Sequence, residues 1–359
     1  MKVCHLITSL GSGGAERNLK ELVNNSSGYK NIIISLKKNN FYSNAIKKKT
    51  KIYFFNLKYD LSIFFQIFKI IQILKKEKPD KIMTWMYHPI FLSIFIKLFY
   101  KCKIFWNIRH SNFDIKHTKF KTILLVLFCS LFSHFIPQKI VFNSVASKKF
   151  HFKYFYSKNK AILIYNGFNN FYSKKKNNTN FIISFIGRNN PQKNHKVFFE
   201  ALNILPKNLN IKFLLIGKNI PKLKKKYNRN FDKTLISKIR YLDERKDIFK
   251  FYKLIDLNIL PSIYGESFSN VVAESMGYGI PNIVSNVGDN KKIVKNTGLV
   301  LFDNSSKKEL SLKILKMYKL WKNEKKWNFL TAKSVKRIRS KFNLKITIKK
   351  YQKLFHLKG

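Results

Sequence analysis

Acidic residues are scarce in this chain: 18 Asp and Glu stand against 71 Lys and Arg, for a formal net charge of +53. Arginine is scarce as well, with eight of the 71, so that 63 are lysine. Lys, Asn, Ile and Phe are all abundant, as AT-rich codon usage produces, and such drift is the first explanation of the charge. A selected attraction to nucleic acid or to a membrane is the second. Either way, a chain this basic adheres to anionic lipid at roughly 1 kcal/mol per basic residue close to the surface. Only three cysteines occur, Cys4, Cys102 and Cys129, without paired or metal-binding spacing. That excludes a disulfide framework and a cysteine metal site and reads as three small core residues. An Asp-x-Asp pair is absent, which removes the usual carriers of a catalytic divalent ion, and no metal is expected. Long apolar runs are missing too. Thr122 to Pro137 is interrupted by Ser130, Ser133 and His134 and falls short of the roughly 20 residues a spanning helix needs. The chain enters a strand at Val3 without a signal-peptide pattern. A cytoplasmic protein is expected.

Against this scarcity, residues 265–281 hold two of the nine Glu and three of the 13 Gly. Leu257–Leu260 reads as a buried strand ending at Pro261, and Ser262–Ser269 as a polar loop. Ser267, Ser269 or Asn270 is placed to cap a helix running to about Tyr278, where Gly277, Gly279 and Pro281 end it. Glu266 then precedes the helix and Glu274 lies within it. The first turn of a helix offers N–H groups to an anion, phosphate above all. Phosphate on the amides and hydroxyls on the acids would make a nucleotide-sugar site. A helix with capping glutamates is the competing reading.

The window resembles the Glu-x7-Glu signature of GT-B glycosyltransferases of family 4, the retaining glycosyl transferases group 1. Four further segments are similar to that family and occur in its order: Thr8–Arg17 with Gly11, Gly13 and Gly14; Ile164–Phe168; Phe185–Arg188 with Lys193 after it; and Pro281–Asn290 running on to Val300. The resemblance implies an α/β, GT-B fold: two doubly wound Rossmann-like domains facing across a cleft, with the last helix crossing back to the first domain.

The organisation along the chain agrees with an α/β class. Strand-like and helix-like segments alternate from Val3 to Asn143, which implies a parallel sheet wrapped by helices. Residues 166–180 form a polar, charged linker, and the alternation then restarts at Phe181. Strands are expected at Phe181–Gly187, Lys212–Gly217, Ile236–Ile239, Leu257–Leu260 and Ile283–Ser285. The expected domains are residues 1–165, on the acceptor side, and 181–340, on the nucleotide-sugar side. Residues 341–359 form the returning helix.

Arg188 follows a strand and a Gly, where a guanidinium clamps a diphosphate in two-pronged fashion, and Lys193 adds a point charge. In the resembled family, positions matching Arg188 and Lys193 hold the leaving diphosphate. The position matching Glu274 bonds ribose hydroxyls, Asn270 and Val271 give amides to phosphate, and Glu266 contacts the transferred sugar. Asp243–Ile248, including Arg245, matches the stretch that cradles the base. Gly217, Ser267, Phe268 and Ser269 complete the implied donor site. His110, at a strand end, matches a cleft position that reaches the sugar, and Gly11, Gly13 and Gly14 form the acceptor-side and diphosphate loop. The departures are Ser267, Ser269 and Asp289, at positions where the family often has Gly or Pro.

The expected activity is a retaining, metal-independent hexosyl or N-acetylhexosaminyl transfer. The donor is a nucleoside-diphosphate sugar, UDP-linked by preference, and no other cofactor is expected. The acceptor is a glycan or lipid-linked glycan of surface polysaccharide, lipopolysaccharide or glycoprotein assembly. An anionic membrane surface is a compatible partner, because Lys119–Phe135 is apolar with basic residues Lys116, Lys119 and Lys121 leading it. A peripheral position on the inner face of the plasma membrane would follow. The alternatives are a UDP-sugar epimerase of the same architecture and a basic nucleic-acid-binding protein. No nucleic-acid partner is expected, because the 34 Phe and 17 Tyr are scattered through core-like segments and form no recognisable stacking module.

Overall fold

The computed structural model of the chain describes residues 1–57, 62–112, 118, 120–169, 179–231 and 233–357. Lys116, Lys119 and linker positions 170–178 lie outside the described residues. The chain divides into two compact units, Met1–Gly167 with Leu344–Gly359, and Phe168–Asn343.

In the first unit the strands are β1 (Lys2–Ile7), β2 (Lys30–Ser35), β3 (Lys51–Phe54), β4 (Lys81–Trp85), β5 (Lys103–Ile108), β6 (Lys139–Phe142) and β7 (Ala161–Leu163). The helices are α1 (Gly14–Asn25), α2 (Ser62–Glu77), α3 (Tyr87–Phe99), α4 (Phe120–Phe132) and α5 (Val145–Lys153). All pairings are parallel, in the order β3-β2-β1-β4-β5-β6-β7. Side chains alternate across β1: Cys4 and Leu6 pack into one core, Val3 and Ile7 into the other. A strand covered on both faces reads as a near-continuous apolar run, and β4, Lys81 to Trp85, is buried throughout, with Lys81 and Thr84 as its polar members. Ser144 caps α5 through a 2.9 Å bond from the Ser147 amide, as its position in the sequence predicts.

The second unit comprises β8 (Phe181–Ile186), α6 (His195–Asn203), β9 (Ile211–Ile216), α7 (Lys222–Tyr227), α8 (Lys233–Ser237), β10 (Ile239–Leu242), α9 (Ile248–Tyr252) and β11 (Leu257–Leu260). It continues with α10 (Asn270–Gly277), β12 (Asn282–Ser285), α11 (Asn290–Val294), β13 (Leu299–Leu301), α12 (Lys307–Trp321) and α13 (Glu324–Lys341). The sheet is again all parallel, in the order β10-β9-β8-β11-β12-β13. The strand expected at Ile236–Ile239 is displaced. Residues up to Ser237 are helical, and β10 starts at Ile239, opposite Phe213. Pairing in register with β9 set the boundary, which local composition does not show. The last helix, α14 (Leu344–Phe355), packs Leu344, Ile348, Tyr351, Leu354 and Phe355 into the first unit's core with Val3, Ile7 and Leu19.

Each sheet has one point where the strand order reverses, between β1 and β4 in the first and between β8 and β11 in the second. Helices leave such neighbouring strands toward opposite faces and open a crevice at the strands' carboxyl ends, where ligands of open α/β sheets bind. Gly11–Gly14 follows β1. Arg188 follows β8, and Glu266 follows β11.

Candidate functional site

In the second unit the sequence-predicted residues Lys193 and Glu266 meet directly. Lys193 Nζ lies 2.5 Å from Glu266 Oε1. Ser262 Oγ donates to the same oxygen at 2.8 Å, and Ser269 Oγ to Oε2 at 2.7 Å. The carboxyl is buried, and burial alone would push its pKa up. The Lys193 charge, with the bonds from Lys193, Ser269 and Ser262, outweighs this and holds it below the ordinary range. Glu266 is therefore an ionised group kept ready inside the protein.

This bonding changes the expected capping. Ser269 stands at the N-cap of α10, but its hydroxyl makes no cap bond and is turned to Glu266 instead. The amides of Val271 and Val272 donate to no group among the described residues. Ala273 N reaches Ser269 O at 3.2 Å. An uncapped first turn, with an exposed arginine at the end of the strand β8 that pairs with β11, is suited to an anion.

Several loops hold the arrangement. Ile263 N bonds Gln192 O at 2.9 Å, and Asn194 Nδ2 bonds Asn304 O at 2.6 Å, tying the segments after β8, β11 and β13 together. Gly288, at φ +63°, lets the chain pass directly behind the carbonyls of Glu266 and Ser267. Asp289 N then bonds Ser267 O at 2.9 Å. At Gly217 a Cβ would collide with the Gly187 carbonyl, so the β9 end can lie against the turn that carries Arg188. Beneath α10, Ser184, Asn258 and Asn282 form a buried polar ladder. Ser184 Oγ reaches Asn258 Oδ1 at 2.9 Å, Asn258 Nδ2 reaches Asn282 Oδ1 at 2.6 Å, and Ser275 Oγ lies 2.9 Å from Asn282 Nδ2.

Glu274 is buried within α10, and Tyr252 OH donates to its Oε2 at 3.1 Å. The Tyr252 ring lies 5.1 Å from that of Tyr278. Arg188 is exposed, with no ion pair among the described residues. Arg245 stands in the loop between β10 and α9, and its guanidinium spans both Asp247 oxygens, at 3.0 and 3.4 Å. Phe268 is buried, and its ring stacks on Phe168 at 6.0 Å. Asn270 begins α10.

The remaining predicted residues belong to the first unit. Gly13 is the N-cap of α1, and Gly14 its first residue. The Glu16 carboxylate fills the space where a Gly13 side chain would stand and accepts from Ser9 Oγ at 3.3 Å. The chain thus supplies its own anion to this helix start. Gly11 is buried beside Asn39. His110 is half-buried just beyond β5, and its carbonyl accepts from Ser147 Oγ at 2.5 Å.

Two residues of these neighbourhoods are not found by sequence reasoning. Tyr252 is one; its only local signal is an aromatic pair, Phe249 and Tyr252, one helical turn apart. Arg109 is the other. Its guanidinium lies 4.7 Å from the Trp85 ring centre, donates to Tyr351 OH at 2.9 Å and also bonds Asn166. Rarity of arginine was the available signal, but the partner stands 242 positions away.

Residues 168–332 match the family described as glycosyl transferases group 1. Over 122 residues the chain is 33% identical to the Escherichia coli UDP-Gal:alpha-D-GlcNAc-diphosphoundecaprenol alpha-1,3-galactosyltransferase. The match covers 32% of this chain and 30% of that protein, so the chain spans about a third of its length. Anabaena HepE in complex with UDP-glucose shares the fold at a TM-score of 0.82 and 16% identity, over 99% of this chain and 100% of that one. A glycosyltransferase from Rickettsia africae does so at 0.79 and 19%, over 99% and 97%. These likenesses show an α/β fold of two Rossmann-like sheets, that of the GT-B glycosyltransferase structures. The likeness to the glycosyl transferases group 1 family thus lies in residues 168–332.

Proposed function

We propose that this protein transfers a hexose from a UDP-sugar to a lipid-linked glycan in surface polysaccharide assembly, with retention of configuration and without a metal ion. The observation that carries the reading is the Lys193–Glu266–Ser269 cluster at the uncapped start of α10, at the reversal point of its sheet, with Arg188 on the neighbouring strand end. A UDP donor is supported by the HepE complex with UDP-glucose and by the UDP-Gal of the E. coli relative. A lipid-linked acceptor is supported by the diphosphoundecaprenol that the same relative uses.

Each group has a physical role in this scheme. The Val271 and Val272 amides and the Arg188 guanidinium take the diphosphate, whose charge grows as the C1–O bond breaks. Lys193 lies between that charge and Glu266 and serves both. Glu266, ionised and buried, accepts hydrogen bonds from the sugar's hydroxyls and fixes its orientation. Glu274 accepts from the ribose hydroxyls. The acceptor oxygen bonds C1 from the face that the leaving group vacates, and its proton passes to the leaving phosphate oxygen. No protein carboxylate needs to attack. The absence of an Asp-x-Asp pair and the presence of cations at these positions support the metal-free form.

The test combines the protein with UDP-galactose or UDP-glucose and a GlcNAc-diphospho-lipid in EDTA. Acceptor-dependent UDP release and an α-linked product are expected. A thermal shift by UDP, lost in Arg188→Ala, is expected alongside. Epimerised or free sugar from donor alone would replace transfer by epimerisation or hydrolysis. Loss of turnover in EDTA would remove the metal-free part. No shift by any nucleoside diphosphate would overturn the site.

A further inference from the structure

Six of the seven strands of the first unit begin on lysine, and Lys160 stands just before the seventh, whereas none of the six strands of the second unit begins on one. Codon drift acts on both units alike, so it does not explain the difference. All strands of a parallel sheet start at one end, here the end away from Gly11–Gly14. The lysines therefore form a row along that edge, with neighbouring strands about 4.8 Å apart. Part of the row is neutralised from within: Glu77 holds Lys2 at 3.4 Å and Lys51 at 2.8 Å.

The other part is not. Lys81 and Lys103 are register partners on β4 and β5, Lys139 stands opposite Phe105, and the pairing of Ile140 with Ala161 puts Lys160 beside Lys139. Alternation sets all four on one face, that of Met83, Phe105, Val141 and Ile162, which α14 covers. The row is thus two lysine pairs, one strand and two residues apart, or about 8 Å. Lys81 is buried, with Nζ 5.9 Å from the Phe105 ring centre, and the other three are half-buried. Lys103 Nζ donates to the Leu357 carbonyl and Lys139 Nζ to that of Asn159, both at 3.4 Å. None of the four has an ion pair among the described residues.

The neighbouring sequence does not supply the missing charge. α14 carries no acid, and Asp114 is the single one between Lys81 and Phe199. Asp80 is taken by the Lys2 amide, which donates to it at 2.6 Å. Burial first, and Lys103 after it, lower the pKa of Lys81, and burial first, then Lys139, lower that of Lys160. Like charges gathered under partial burial oppose folding unless an anion joins them. The end of α14 lies over Lys103, which admits a small anion and holds off a flat surface or a duplex. Two ammonium pairs about 8 Å apart suit phosphates strung on a short chain, one end to each pair.

We infer that the pairs Lys81 with Lys103 and Lys139 with Lys160 bind a small oligophosphate, inorganic or carried on a nucleotide, at the end of the first unit's sheet opposite its glycine loop. This stands without the transferase reading. The test is calorimetric titration of the purified full chain with tripolyphosphate at about 0.15 M salt, with excess UDP present to occupy the donor site. Saturable binding of one molecule per chain is expected, with an affinity loss of about tenfold or more in the triple variant Lys103→Gln, Lys139→Gln, Lys160→Gln. The control Lys212→Gln, Lys308→Gln, Lys325→Gln removes the same charge from exposed positions of the second unit, and should change the affinity by less than about twofold. That comparison holds whether or not UDP occupies its proposed site. Because the row repels itself, the first variant should melt no lower than wild type without ligand. It should also lose the rise in melting temperature that tripolyphosphate gives wild type. Equal losses in the two variants would assign the binding to net charge and overturn the proposal, as would an absence of saturable binding to wild type. Tighter binding of adenosine triphosphate than of tripolyphosphate would support the site with a nucleotide as the source, and equal binding would support it with an inorganic one.

Discussion

Lys193 and Glu266 share a bond that a bound donor has to redistribute, and each fixes the state of the other. Lys193 is a principal reason that a carboxyl as buried as Glu266 stays ionised. Lys193→Ala leaves the burial and removes the cation, so the pKa of Glu266 should rise above the ordinary carboxylate value. An activity that needs ionised Glu266 then becomes pH-dependent: low at pH 5 and recovering as pH rises, where wild type stays flat in the same acidic limb. A kcat profile of the variant between pH 5 and 8.5 measures this. A flat profile would mean that Ser262 and Ser269 suffice to keep the charge. Scarcity made Glu266, Glu274 and Arg188 legible in the sequence, because an acid or a guanidinium in this composition stands out. The Lys193–Glu266 bond itself was not legible. One lysine among 63 carries no signal, and the pairing depends on two loops 73 positions apart.

At the scale of elements, the alternation of strands and helices and helix α10 follow from local patterning, but the support behind the loop that carries Glu266 does not. Gly288 shows why. In the sequence it is one glycine before a short helix. In the fold it has φ +63°, and a side chain there would strike the carbonyls of Glu266 and Ser267. Gly288→Ala combines a left-handed backbone penalty of about 1–2 kcal/mol with displacement of the loop that holds Glu266. It should lower the melting temperature and reduce kcat far more than donor affinity, because Arg188 and the first turn of α10 are not built on that contact. Thermal melting, UDP titration and turnover on one preparation separate these effects. A variant that loses stability but keeps wild-type kcat would show that the loop relaxes without cost to the chemistry. The shifted β10 teaches the complementary lesson. Its apolar residues were visible, but the boundary at Ile239 comes from pairing with Phe213, a contact between strands that no local window contains.

The whole molecule carries +53, and its acid sensitivity should come first from histidine. Burial lowers His5 and His195 to about 4, and His151 to about 3. His5 is held neutral in the core: Trp85 Nε1 donates to its Nδ1 at 3.3 Å, and its Nε2 meets Asn31 Oδ1 at 3.0 Å. A folded-state pKa below the unfolded value of 6.5 means that the unfolded chain binds more protons between pH 6.5 and 4. Stability is complete above 6.5 and is lost as pH falls through that window. For His5 the loss by pH 5 is up to about 2 kcal/mol, at 1.36 kcal/mol per pH unit. The carboxylate of Glu77 acts lower. Bonds from Lys51 and Tyr53 first, and Lys2 after them, bring it to about 2, so its contribution is lost only below about 4.5. Melting in 0.3 M salt, which shortens the reach of lysine repulsion, should therefore show the melting temperature falling between pH 6.5 and 5, before carboxylates titrate. His5→Gln should start lower at pH 7.5 and fall less steeply across that interval. Parallel slopes for the two proteins would remove His5 from the cause.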